Sequence, residues 1–155
     1  MKIFVTVGTT KFDGLIRYVD EHFKDSIHEF TLQIADGNYT PDHFPYFNFT
    51  DEIKDYYRDC DLVISHGGAG SIYRLLELQK KIIVVPNLER KDRHQLDIAR
   101  YMSEKNYVLW VSSFDKLTDT ISRCETHQFD RFRKQDFFAA DKILDFLIPE
   151  VVRKP

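Results

Sequence analysis

Two hydrophobic patterns alternate along the chain. Residues 2–7 (KIFVTV), 61–65 (DLVIS), 81–86 (KIIVVP) and 107–111 (YVLWV) are short, nearly unbroken apolar runs rich in β-branched residues. Runs of this kind predict strands covered on both faces. EFTLQIA (29–35) is a further strand, closed by Asp36-Gly37-Asn38, which is turn chemistry. Between the strands, apolar residues recur at helical spacing. Leu15, Ile16, Val19 and Phe23 form one such stripe, and residues 71–79, 92–105 and 113–122 carry others. Residues 51–59 (DEIKDYYRD) predict a short helix, and the Pro- and Phe-rich stretch 40–50 a loop with a short strand at YFNF. Strands alternating with helices imply right-handed βαβ units. The expectation is one α/β domain over residues 1–155: a Rossmann-like, open, mainly parallel sheet with helices on both faces. Its ligand belongs at the carboxyl ends of the strands.

Composition narrows the function. With 22 basic and 25 acidic residues the net charge is −3, which gives no electrostatic argument for nucleic acid. The two cysteines, Cys60 and Cys124, fit no disulfide framework or metal spacing and read as free thiols of a reducing cytoplasm. The N-terminal apolar run of about five residues is too short for a signal peptide, and no stretch approaches ~18 apolar residues. The expected location is therefore cytoplasmic, with any membrane role arising through a partner or a surface helix.

Three strand-to-helix junctions carry candidate chemistry. In VGTTKFDG (7–14), Gly8 permits a sharp turn, and Thr9 and Thr10 are either helix caps or hydroxyls beside a ligand. In SHGGAGS (65–71), glycines let backbone N–H groups approach a ligand, and a helix start is a natural seat for phosphate. Tight packing accounts for one glycine more readily than for three and a serine, so Gly67, Gly68, Ala69, Gly70 and Ser71 read as an anion seat. Ser71 would either cap the helix or donate to a phosphate oxygen. The loop matches neither the Walker nor the dinucleotide fingerprint. His66 is either structural or a ligand. In VVPNLERKDRHQLDIA (84–99), Asp92 and Gln95 are spaced as a capping box, while His94 and Gln95 would also face a ligand such as a sugar. No catalytic triad order, zinc spacing, carboxylate pair or reactive-cysteine setting stands out. A diphosphate seat beside a sugar-friendly loop points to a nucleotide-sugar.

DLVISHGGAGS, IIVVPN and the His-Gln of DRHQLDIA, in that order, resemble glycosyltransferase family 28, and VTVGTT and the Q-I-x-x-G-x-Y-x-P of residues 33–41 also fit. More narrowly, the chain resembles the small soluble subunits of two-subunit UDP-GlcNAc transferases and of bacterial capsular and exopolysaccharide transferases. The resemblance implies the donor-binding half of a GT-B enzyme, a UDP-sugar donor and no metal. It also implies a membrane-associated partner subunit that presents a polyprenyl-diphosphate-linked acceptor and recruits the chain to the inner face of the membrane. By position, Gly8, Thr9, Thr10 and Gly67–Ser71 would face the diphosphate, His66 would lie beside it, and Asn87, His94 and Gln95 near the sugar. His66 and His94 are the weak candidates for catalysis; the general base is otherwise unassigned. Many relatives carry a ribose-gripping Glu where this chain has Arg74, with Glu77 one turn further on, and Gly where it has Ala35 and Gln79. An accessory subunit that only activates its partner is the alternative to a catalytic one.

Residues 129–148 read as a C-terminal helix. Phe137, Ala140, Leu144, Leu147 and Ile148 form an apolar stripe that either packs on the domain or docks a partner. Arg131, Arg133 and Lys134 are either a solvated face or a contact for acidic lipids.

Overall fold

The computed structural model describes residues 1–88 and 94–134. In chain order it contains β1 (Lys2–Thr6), α1 (Asp13–His22), β2 (Glu29–Gln33), β3 (Tyr46–Phe47), α2 (Ile53–Asp59), β4 (Leu62–Ser65), α3 (Ala69–Glu77), β5 (Lys81–Val84), α4 (His94–Glu104), β6 (Leu109–Trp110) and α5 (Leu117–Thr126). The strands form one six-stranded sheet in the order β3-β2-β1-β4-β5-β6. Every pairing is parallel. This is the doubly wound Rossmann order, and it reverses direction between β1 and β4.

Side chains alternate across the sheet, so β1, β4 and β5 each feed two cores. Ile3 and Val5 of β1 join Leu15, Ile16 and Val19 of α1 and Leu117 and Ile121 of α5. Phe4 points the other way, to Tyr57 of α2, Ile72 and Leu75 of α3, and Ala99 and Met102 of α4. Burial on both faces is why these strands read as unbroken apolar runs. Each fully buried side chain of this size contributes about 1.5–3 kcal/mol over its exposed state.

The helix ends are built from the local sequence. After α3, the N–H of Gln79 bonds the carbonyl of Leu76 and that of Lys80 bonds Leu75. After α4, Asn106 and Tyr107 repeat the pattern on Ser103 and Met102. Both are Schellman caps, whose turning residue is left-handed; φ is +53° at Gln79 and +56° at Asn106. Ala35 also has φ +53°. The two positions where relatives often place glycine are thus left-handed here without it.

The loop between β2 and β3 is tied to α1 by Asp20, which is fully buried. Its carboxylate accepts from the Tyr39 hydroxyl (2.8 Å), Asp42 N–H (2.9 Å) and His43 N–H (2.9 Å). Burial alone raises the Asp20 pKa; these hydrogen bonds outweigh it and hold the carboxyl below its ordinary value.

Some details differ from the sequence expectation. The helix expected over 113–122 begins with a 3-10 turn, Phe114–Lys116, and α5 then runs on to Thr126 because Cys124 extends its buried stripe. The N-cap position of α1 is Phe12, with no side-chain cap, so Thr9 and Thr10 do not cap that helix. Residues 129–134, expected to begin a C-terminal helix, are not helical; Asp92 and the stretch 135–148 lie outside the described residues.

Candidate functional site

The reversal of strand order opens a crevice between the loops that follow β1 and β4. Its floor is set by His66, which directly follows β4 and is 8% exposed. The imidazole fills the space beside both Gly8 and Gly68. A β-carbon on Gly8 would lie 2.5 Å from His66 Cε1, and one on Gly68 would collide with the same ring. Gly8 is also left-handed, with φ +66°. Gly67, at φ +87°, lies against Gln95, whose Cβ is 3.1 Å from where a β-carbon would sit. Three of the glycines therefore have packing reasons, more than the sequence allowed for. Gly70 differs: beyond its own helical turn, no described residue lies within 4 Å of its β-carbon position.

Gly68 caps α3 without any side-chain bond, so Ala69, Gly70 and Ser71 form its first turn. Ser71 does not cap the helix. Ala69 and Gly70 are exposed, and their amides, at the crevice end of α3, have no partner among the described residues. The Ser71 and Thr6 hydroxyls both meet the phenol of Tyr57, whose pKa is raised chiefly by burial although these contacts lower it. The Ser65 hydroxyl beneath the loop is buried with no hydrogen-bond partner among the described residues.

The third junction is tied to the other two. Gln95 Oε1 accepts from the backbone N–H of Asn87 at 2.9 Å, so its side chain serves the β5–α4 loop. Asn87 Nδ2 donates to the carbonyl of Lys11 at 3.5 Å, reaching the β1–α1 loop. His94 opens α4 and is exposed. An apolar pocket of about 380 Å³ opens beside Asn87, between Phe12, Pro86, Leu88 and Phe114. Gly8, His66, Gly67, Gly68, Asn87 and Gln95 are thus brought together, with Thr9 and Thr10 on the loop beyond Gly8.

Other positions fare differently. The Glu77 carboxylate pairs with Lys134 at 2.9 Å on the exposed side of α3. Arg74 is exposed on α3. Tyr101 and Lys105 line a separate groove of about 530 Å³ with Tyr73, Tyr107 and Phe132. Sequence reasoning missed Gln33, Thr6 and Tyr57. A polar residue ending an apolar strand was the available signal for the first two. Among the described residues there is no cluster of potential metal ligands, and no helix is long and apolar enough to cross a membrane.

Comparison with known proteins agrees with this architecture. The chain is 36% identical over 125 residues to human UDP-N-acetylglucosamine transferase subunit ALG13, covering 71% of this chain and 11% of that protein. It thus spans about a tenth of that relative's length. Over 56 residues it is 43% identical to the UDP-N-acetylglucosamine–N-acetylmuramyl-(pentapeptide) pyrophosphoryl-undecaprenol N-acetylglucosamine transferase of Prochlorococcus marinus strain MIT 9312 (36% of this chain, 15% of that one). The NMR solution structure of ALG13 superposes with a TM-score of 0.60 at 22% identity, over 92% of this chain and 94% of the other. The family model for the glycosyltransferase family 28 C-terminal domain matches residues 2–145. With the doubly wound sheet and its glycine-lined crevice, this places the chain in glycosyltransferase family 28, as a member of its C-terminal domain family.

Proposed function

We propose that this chain is the donor-binding, catalytic subunit of a heteromeric glycosyltransferase. It would hold a UDP-sugar in the crevice between the β1 and β4 loops and transfer the sugar to a polyprenyl-diphosphate-linked acceptor. The observation that supports this reading is the exposed first turn of α3 at the switch point, where a β-carbon on Gly70 would meet no described residue beyond its own turn. A helix N-terminus there offers unpaired N–H donors and partial positive charge to a diphosphate. Gly8, Thr9 and Thr10 would close the seat from the β1 side, with His66 beside it. Asn87, His94 and Gln95, on the adjoining loop, would meet the sugar. The names of both relatives contain UDP-N-acetylglucosamine, which favours GlcNAc over galactose or glucose.

In this reading catalysis is chiefly stabilisation of the leaving UDP by amides already aimed at its diphosphate. On the same reading a membrane-associated partner would align the acceptor and exclude water. That arrangement draws support from the word subunit in one relative's name and from pyrophosphoryl-undecaprenol in the other's. Recruitment to the membrane would follow from the partner. Calorimetric titration with UDP and with UDP-GlcNAc, UDP-galactose and UDP-glucose, in the absence of added metal, tests the reading. Binding of UDP, weakened in Gly70→Ala, is expected. Absence of UDP binding both by the chain and by its complex with the partner would overturn it.

A further inference from the structure

We propose that Gln33 is a positioning residue for the diphosphate seat, an inference that rests on the function proposed above. Its side chain stands at the carboxyl end of β2, 3% exposed, and makes five hydrogen bonds. Oε1 accepts from the Thr6 hydroxyl (2.7 Å), Val7 N–H (3.2 Å) and Gly8 N–H (3.1 Å). Nε2 donates to the carbonyls of Gly8 (2.8 Å) and Asn48 (2.9 Å). The orientation of this amide is unambiguous, because backbone N–H groups only donate and carbonyls only accept.

These bonds go where the sheet stops. β1 pairs with β2 through Thr6, and one further ladder bond runs from Val7 N–H to the Gln33 carbonyl at 3.4 Å. The chain then turns left-handed at Gly8. Both the N–H and the C=O of that turning residue are held by the one amide. The peptide planes leading into Thr9 and Thr10 therefore take their direction from Gln33 rather than from a strand partner. The Thr6 hydroxyl commits its proton to Oε1, so Thr6 Oγ1 is an acceptor, taking Gly8 N–H at 3.2 Å. One buried amide thus stands behind the loop after β1 without touching a ligand. Donors aimed before the ligand arrives are what an oxyanion seat requires, and small misplacements there are costly.

Gln33→Glu keeps the size of the side chain and replaces the Nε2 donor by an oxygen facing two carbonyls. Those carbonyls favour the protonated carboxyl, whose O–H restores one donor. At pH 8 the variant is expected to bind UDP at least tenfold more weakly than wild type, with uridine affinity changed less than twofold. At pH 6 the UDP deficit should shrink to within threefold, while Gln33→Met, which has no donor at either pH, stays weak throughout. Melting midpoints check that each variant is folded. Equal loss for UDP and uridine would make the role merely structural and overturn the proposal. So would wild-type UDP affinity of Gln33→Glu at pH 8, or the absence of recovery at pH 6. If the wild-type chain, alone and with its partner, binds no UDP, the seat itself is wrong; an unaffected variant of a binding wild type removes only the positioning role.

Discussion

Replacing Gly70 with alanine adds one methyl group to the first turn of α3, at a position with no described residue beyond its own turn within 4 Å. No described residue beyond that turn resists it. In a helix interior the exchange is worth about 1 kcal/mol in favour of alanine, and roughly half of that, ~0.5 kcal/mol, is reasonable in a first turn. For a chain of this size that raises the melting midpoint by about 1–2 °C. The same methyl stands where a phosphate oxygen must come within about 2.7–3.2 Å of an amide nitrogen. Losing one charge-assisted bond there costs about 1.5–3 kcal/mol, on the order of a 10- to 100-fold weaker Kd for UDP. Gly70→Ala should therefore melt higher and bind worse, measured by calorimetry on one preparation. Gly68→Ala gives the contrast: its methyl collides with the His66 ring, and overpacking of about 1–3 kcal/mol lowers stability. A Gly70→Ala variant that binds UDP like wild type would refute the amide seat, whatever its stability.

Three more outcomes follow from the same geometry. Gln79→Val places a β-branched residue at φ +53° and removes bonds from Nε2 to the Leu76 and Phe132 carbonyls, so the melting midpoint should fall by roughly 4 °C or more, for a loss of about 2 kcal/mol. Asp20→Asn should cost about 1.5–3 kcal/mol in urea unfolding. Because the folded Asp20 pKa is depressed, its stabilisation is complete above the ordinary carboxyl range and is lost as pH falls below about 4, so the variant should show a shallower acid limb. Cys60 and Cys124 are buried and their thiols are raised by burial, Cys124 to about 11. Ellman's reagent at pH 8 should therefore modify them only at the rate of unfolding; rapid labelling of the native chain would contradict their packing.

The strands were legible because a parallel strand with both faces covered leaves an unbroken apolar run, as in KIFVTV and KIIVVP. The helices were legible through stripes such as Leu15, Ile16 and Val19. Contacts between distant segments were not. Gly8 and Gly68 carry no sign in the sequence that one imidazole, His66, occupies the space beside both. Gln95 has capping-box spacing, yet its carbonyl oxygen is taken by Asn87 across the loop. Thr9 and Thr10 look like caps until the first helical residue proves to be Asp13. Gln33 reads as one polar residue at a strand end, since its partners come from β1 and from Asn48, beyond β3. Ala35 and Gln79 keep the left-handed turns where a glycine would be easier, which only backbone angles reveal.

The strand order also bears on how the chain is made. Ile3 pairs with Phe30 on one side and with Leu62 on the other. A ribosome adding about 5–20 residues per second supplies the second neighbour several seconds after the first. Throughout that interval the growing chain has β1 as an outer strand, with Ile3, Phe4 and Val5 beside an unmatched row of peptide groups. Emergence of β4 closes that row and, in the same event, brings His66 against Gly8. Nascent chains stalled before Leu62 are therefore the form of this protein most prone to edge-to-edge association and most in need of a chaperone.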